Sequence, residues 1–379
     1  MGALGAVALI DITGRRDRLP CGPLLALREF RACGGYPYVR IAQVAPLFVP
    51  VPPTEYGGTE RIVHTLTQEL VQRGHDVTLF ASEGSKTSAE LHSTSPAPLW
   101  TSGGDALAWH AIEIEQLARR SGDFDVIHSH LEVLPWLAGD RYQPPLITTL
   151  HGRLDQPEQR RLLSEFRGWP LVSISNAQRK PVEDLDLRWA ATVYHGLDLE
   201  HVYQQGDGRG GYLAFVSRLS PEKGPALAIK VAERLGMRIV VAGPISDPDY
   251  FESEIKPLLK HPGVEFIGEL DDAGKNDVIG KAKGFLVPIQ WDEPFGLAFI
   301  EALATGTPIV SCPRGSLPEL IEDGCHGFLR ADEDGLVEAC KKLCDIDRNE
   351  CRRWVLDRFS PPQMAAGYER VYEGLVARW

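Results

Sequence analysis

From residue 40 onward the chain alternates short apolar runs with amphipathic stretches, the rhythm of a parallel α/β sheet. Residues 40–45 (RIAQVA) read as a strand, followed by a Pro-rich loop ending in YGG. Over 59–73, Ile62, Val63, Leu66 and Leu70 line one helical face before Gly74 stops it. Strand-like runs recur at 77–81 (VTLFA), 125–128 (DVIH), 146–150 (LITTL) and 171–174 (LVSI), with helical stretches between them. After Tyr203 comes QQGDGRGG, polar and glycine-rich, which reads as a linker. Its GxGxG spacing invites a dinucleotide site, but it precedes a strand where such a motif has to follow one. A second series opens with 212–217 (YLAFVS) and a helix from about Pro225, then runs at 238–242 (RIVVA), 264–267 (VEFI), 285–289 and 309–312. Met364, Tyr368, Val371, Tyr372 and Leu375 form one stripe of a final helix, suited to packing across a domain surface.

The pattern predicts an α/β protein of two doubly wound domains, 40–204 and 205–357, with 358–379 as a helix packing across them. Residues 1–39 read as an added extension: the apolar patch of MGALGAVALIDITGRRDRLP has no basic region before it and no clear cleavage site, so a signal peptide is not expected.

The chemistry concentrates at strand-to-helix junctions, where open α/β sheets bind ligands. In 291–306 (WDEPFGLAFIEALATG), Glu293 stands in a loop and Glu301 inside an apolar helix, with Pro-Phe-Gly between them. The amides of Phe295, Gly296 and Leu297 fall at the helix N-terminus, which favours an anion or sugar hydroxyls. Glu301, one turn in, can accept two hydrogen bonds from a vicinal diol such as a ribose. Upstream, FVSRLSPEKGP brings Arg218 and Lys223 to the carboxyl end of a strand, two cations able to neutralise a diphosphate. Alone, that pair would read as a solvated surface pair; the second junction is what gives it weight. His128 and His130 in VIHSH share a side of their strand but lack a third metal ligand, so a structural role is expected. Asp123-Phe124-Asp125 reads as a helix-to-strand turn, and Cys340, Cys344 and Cys351 lack the histidine pair of a zinc site.

Composition narrows the partners. A formal charge of −12 and a pI near 5.4 argue against a dominant nucleic-acid or anionic-membrane surface. No apolar run approaches a bilayer span, so membrane contact would be peripheral at most. Seven scattered cysteines fit a reducing compartment, and a cytoplasmic location is expected.

Glu293-x7-Glu301 with its PFG insert, together with SRLSPEKG, resembles the retaining nucleotide-sugar glycosyltransferases of family four, which have the GT-B fold of two Rossmann-like domains facing a cleft. The resemblance extends through RIAQVAPLFVPVPPTEYGGTE, TLHG at 149–152, SISNAQR at 173–179, VEFIGEL at 264–270 and TGTPIVSCPRGSLPELIEDGCHGFL. It covers the chain from about Arg40 onward. It implies that Arg218 and Lys223 hold the donor diphosphate, that Glu301 binds the nucleotide ribose, and that Glu293 and the Phe295–Leu297 amides contact the donor sugar. Gly57 and Gly58 would let the first domain's backbone approach phosphate or acceptor; Gly268 and Glu269 would offer backbone groups to the base. His151 matches the histidine beside the transferred sugar. HGLD at 195–198 departs from the family's usual Asn-Gly-Val-Asp, which alters a polar contact there.

The function so implied is hexosyl transfer with retention from a nucleoside diphosphate sugar, UDP-glucose being the default donor, to a small-molecule or carbohydrate acceptor that the sequence does not identify. No cofactor and no metal are expected, and the two domains are expected to close on the donor. Rival expectations are a hydrolase or epimerase of the same fold, or a nucleotide-sugar binder without turnover. A nicotinamide dehydrogenase falls behind for want of GxGxxG after the first strand.

Overall fold

The computed structural model describes residues 38–54 and 57–379, so the expected extension lies outside the described residues apart from Tyr38 and Val39. The chain forms two sheets in which every strand pairing is parallel. The first is built from β1 (Arg40–Val44), β2 (Asp76–Ser82), β3 (Glu90–Ser95), β4 (Val126–Ser129), β5 (Leu146–Thr149), β6 (Leu171–Ser173) and β7 (Trp189–Thr192), in the order β3-β2-β1-β4-β5-β6-β7. The second takes β8 (Tyr212–Val216), β9 (Arg238–Ala242), β10 (Val264–Phe266), β11 (Gly284–Leu286), β12 (Ile309–Ser311) and β13 (Gly327–Leu329), in the order β10-β9-β8-β11-β12-β13. This is the doubly wound pair expected.

In each sheet the strand order reverses once, between β1 and β4 and between β8 and β11. Loops leaving the carboxyl ends of neighbouring strands diverge there and leave a crevice. The two crevices face each other across a common cleft.

The sheets differ inside. β8, β9 and β11 bury apolar side chains almost without exception, among them Phe215, Val241 and Phe285. The central strands of the first sheet bury Gln43, His128, Thr148 and Thr149, all at 0% exposure. Burying such groups without partners is costly, so each must find one. Much of the supply comes from the helix Pro361–Val376, whose expected stripe is buried. Its Tyr372 hydroxyl lies 2.8 Å from His128 Nδ1 and accepts from Gln43 Nε2 at 3.2 Å. Its Glu369 accepts from Arg73 at 2.8 and 2.6 Å and meets His75 at 3.0 Å. Burial pushes that carboxyl up, but Arg73 and His75 together hold it below its ordinary value. The helix therefore crosses back and completes the first domain.

The glycine-rich stretch after Tyr203 is not slack. The Gly206, Gly208 and Gly210 amides donate to Thr305, Gly280 and Lys281 carbonyls at 3.0, 3.1 and 2.8 Å. A Cβ on Gly206 would stand 2.1 Å from the Gly280 oxygen, so close backbone approach, not looseness, requires the glycine.

Candidate active site

The cleft encloses about 1730 Å³ and is lined from both sheets. On the second-sheet side, the loop leaving β8 carries Arg218 and Lys223, and the loop leaving β11 carries Trp291 and Glu293. Lys223 Nζ is in a short ion pair with Glu293, and its ammonium sits 4.9 Å from the centre of the Trp291 ring. Trp291 Nε1 donates to the same carboxylate at 3.2 Å. Arg218 pairs with Glu222 at 3.2 Å. Glu293 is held from behind by the loop after β12: Ser316 N donates to its carbonyl at 2.9 Å, and Ser316 Oγ to that of Phe295 at 2.6 Å. A Cβ on Gly315 would stand 2.3 Å from the Glu293 backbone, and its φ of 55° lies in the left-handed region, so this brace needs glycine.

The helix Leu297–Ala304 begins at Gly296, whose φ of 92° turns the chain into it. The Phe295, Gly296 and Leu297 amides precede its first intrahelical bond and give the cleft a positive edge. Glu301, 5% exposed, is one turn further along.

Glu301 has a partner that the sequence did not announce. Arg61, in the first turn of the helix Gly58–Gln72, donates to Glu301 Oε1 at 2.8 Å and to both oxygens of Asp272 at 2.8 and 2.9 Å. Burial opposes that charge, but Glu301 and Asp272 outweigh it and push the guanidinium pKa up. Lys275 adds a second cation, 3.3 Å from Asp272 and 3.9 Å from Glu301. Elsewhere across the cleft, Ser175 Oγ donates to Pro294 O at 2.6 Å, and Glu319 accepts from the Ala177 amide and the Tyr194 hydroxyl, both at 2.7 Å.

On the first-sheet side a hydrogen-bonded row runs from the core to the cleft. His130 Nε2 donates to Gln43 Oε1 at 2.8 Å, since that oxygen can only accept. His130 Nδ1 therefore accepts, and the Nε2–H of His151 donates to it at 2.8 Å. The tautomers follow from the orientation of the Gln43 amide, whose nitrogen faces Tyr372. His195 stacks on His151 with ring centres 5.2 Å apart and an interplanar angle of 17°, and lies 4.8 Å from Phe295. Burial pushes the His151 pKa down to about 3 and those of His128, His130 and His195 well below the ordinary value, so all four rings are neutral at pH 7.

Of the expected site residues, Gly57, Gly58, His151, Arg218, Lys223, Glu269, Glu293, Phe295, Gly296, Leu297 and Glu301 all line the cleft. Gly268 does not: its carbonyl accepts from the Gly243 amide at 2.8 Å, and its φ of 77° serves that turn. The room beside Gly57 is taken by Pro53, 2.7 Å from where a Cβ would stand, and a Cβ on Gly58 would stand 3.6 Å from Leu297. Arg61, Asp272 and Glu132 were missed. Arg61 follows the glycine pair by two residues, a position that could have flagged it.

Residues 56–201 match the glycosyltransferase family 4 model and residues 204–355 the model for glycosyl transferases group 1. The chain belongs to the family 4 type of glycosyltransferases. Among its relatives, this glycosyltransferase is 27% identical over 348 residues to a glycogen synthase of Mycobacterium tuberculosis, covering 78% of this chain and 84% of that protein. It is 28% identical over 265 residues to a D-inositol 3-phosphate glycosyltransferase of Mycolicibacterium paratuberculosis, and there it spans only 58% of the relative's length. The crystal structure of AviGT4, a glycosyltransferase involved in avilamycin A biosynthesis, matches 90% of this chain and 99% of that one, with a TM-score of 0.67 and 25% identity. Sucrose-phosphate synthase from Thermosynechococcus elongatus shares the fold at a TM-score of 0.75 and 16% identity over 90% of this chain and all of that one. The architecture is therefore GT-B.

Proposed function

We propose that this glycosyltransferase moves a hexosyl group, with retention at the anomeric carbon, from a nucleoside diphosphate sugar to a hydroxyl acceptor. UDP-glucose is the default donor. The observation that carries this is the convergence, at the second sheet's switch point, of Arg218, Lys223, the helix amides from Phe295 to Leu297 and the buried carboxylate of Glu301. The HepE protein of Anabaena, which shares the fold at 16% identity and a TM-score of 0.72, covering 89% of this chain and all of that one, was crystallised with UDP and glucose.

In this reading the bond from the anomeric carbon to the phosphate oxygen breaks, and its electron pair leaves with the diphosphate. The new bond to the acceptor oxygen forms on the same face, and the acceptor proton passes to the departing phosphate oxygen. Charge develops on that diphosphate, so fixed donors aimed at it supply most of the rate. Arg218, Lys223 and the amides do this without a divalent ion. Glu301 takes the ribose diol, which requires Arg61 to share or release it. Neutral His151 orients the sugar, and Glu293 stands beside it. The free thiols of Cys312, Cys325, Cys340, Cys344 and Cys351 support a reducing, cytoplasmic setting, and among the described residues no helix is long and apolar enough to cross a membrane.

A thermal-shift screen against UDP, GDP, ADP, TDP and their sugar conjugates, with and without EDTA, tests the donor site. One nucleotide family is expected to raise the melting temperature whether or not chelator is present. No shift from any of them would sink the proposal, and a β-anomeric product from an α-linked donor would sink its stereochemical part.

A further inference from the structure

The crevice between β1 and β4, opposite the donor side, is walled differently. After β1 comes Phe48, whose carbonyl accepts from the Trp100 amide at 3.1 Å and whose ring lies 6.0 Å from the Trp100 ring. Trp100 is 61% exposed and Leu107, beside it on the same wall, 71%. After β4 comes Glu132, with a φ of 55°, the positive-φ non-glycine residue of the described chain. Such a conformation is uncommon for a side chain of this size and clusters at functional sites. It lays the carboxylate over Gly152, where a Cβ would stand 3.3 Å from Oε1, next to His151. Among the described residues Glu132 has no hydrogen-bond or ion-pair partner, and burial raises its pKa.

Each cation on this wall is matched by at least one carboxylate. Of the described residues lining the cleft, the first domain contributes Arg61, held by Asp272 and Glu301, and Arg153, paired with Asp155 at 2.6 and 2.5 Å. Glu60, buried on the same wall, is a second carboxyl pushed up by burial, with no ion-pair partner among the described residues. Among the described residues this wall therefore carries more carboxyls than cations, and a phosphorylated acceptor entering here would meet a net negative surface.

We propose that the acceptor is an uncharged ring alcohol: its apolar face packs on Trp100 and Phe48, and its hydroxyl donates to the Glu132 carboxylate, which aims the oxygen at the sugar beside His151. This rests on the transfer function proposed above and deepens it. A carboxylate on the same cleft wall as Trp100 accepts a hydroxyl hydrogen and repels phosphate. Glu132 is thus a binding residue that also sets specificity.

The test compares 4-nitrophenyl β-D-glucoside with glucose 6-phosphate on the full chain, loaded with whichever nucleotide or nucleotide sugar gives the largest thermal shift. The nitrophenyl glucoside is expected to bind and to be glycosylated at least 10-fold more efficiently than the sugar phosphate. Trp100→Ala is expected to raise KM for it about 10-fold while kcat stays within about twofold. Glu132→Gln is expected to lower its kcat/KM about 10-fold and to narrow the discrimination against glucose 6-phosphate by a similar factor. Glu132→Gly, which the positive φ favours, removes the carboxylate without backbone strain and is expected to do the same. A preference for glucose 6-phosphate overturns the proposal. So does a discrimination that neither Glu132 variant changes, or a nitrophenyl glucoside that neither binds nor reacts while the nucleotide shift is intact. Loss of the nucleotide shift itself would instead sink the donor assignment beneath it.

Discussion

At the second sheet's crevice the polar groups stand on loops and come as ions: Arg218 with Glu222, Lys223 with Glu293. At the first sheet's crevice they are sunk into strands and come neutral: Gln43, His128, Thr149 and His130 joined side chain to side chain. Ionic partners on loops can be exchanged for a ligand's phosphate at small cost, because each ion trades one counter-charge for another. Neutral groups held by buried neighbours cannot rearrange so freely; they keep one geometry and present it. One crevice is built to neutralise charge as it appears, the other to hold a shape.

The largest effect that this contrast predicts lies in the loops. Arg218→Ala with Lys223→Ala should lower kcat by about 10²–10³-fold, the loss typical of removing a donor from a developing anion. Steady-state rates checked beside an unchanged melting temperature would show it; a double variant with normal turnover would break the comparison on its ionic side. The next effect lies in the strands. Tyr372→Phe leaves Gln43 Nε2 and His128 short of a partner and should cost about 1–3 kcal/mol of stability, read as a lower denaturant midpoint at constant slope. An unchanged midpoint would mean that the row is not tightly coupled.

A pH titration sharpens the same point. The folded pKa of His151 is lowered to about 3 from 6.5, so below pH 6.5 the unfolded chain takes up the proton first. The stability this ring contributes is whole above pH 6.5 and is lost as pH falls toward 3. Between pH 7.5 and 5.5 this ring's share of the loss should be about 1 kcal/mol, with His128, His130 and His195 adding to the total, and His151→Asn should lessen the fall in melting temperature. The smallest effect has the opposite sign. Glu113 on the helix Ala106–Arg120 is fully buried, both oxygens are without a partner among the described residues, and burial raises its pKa well above 4.5. Above pH 4.5 only the unfolded chain releases that proton, so stability falls as pH rises toward the folded value. Glu113→Met should therefore raise stability at pH 7.5, by up to about 1 kcal/mol, in a calorimetric scan.

The same contrast decides what could be read from the sequence. Central strands such as 238–242 (RIVVA) announce themselves because both faces are buried and the run is continuously apolar. Three of the four edge strands do not: β3 reads ELHSTS, with Leu91 its one apolar residue, and β7 and β13 are four and three residues long, too short for a period. On the donor side, loop and helix lie within one stretch of chain, so the spacing of Glu293 and Glu301 carries the geometry. Arg61 with Glu301 joins residues 240 apart, and His151 with His195 joins two strands' ends; no local pattern encodes such meetings. His195 drew notice only as a departure from a motif. Glu132 had no signal at all, since a positive φ in a glutamate leaves no trace in composition.

The helix Pro361–Val376 has a consequence for how the protein is made. Its Tyr368, Glu369 and Tyr372 serve Thr149, Arg73, His75, His128 and Gln43, all in the half that leaves the ribosome first. During synthesis, then, the early half waits with its polar interior open while more than 150 residues of the second sheet are translated after it. Only when residues 361–376 have emerged can that interior close. The half that is born first is the one that finishes last.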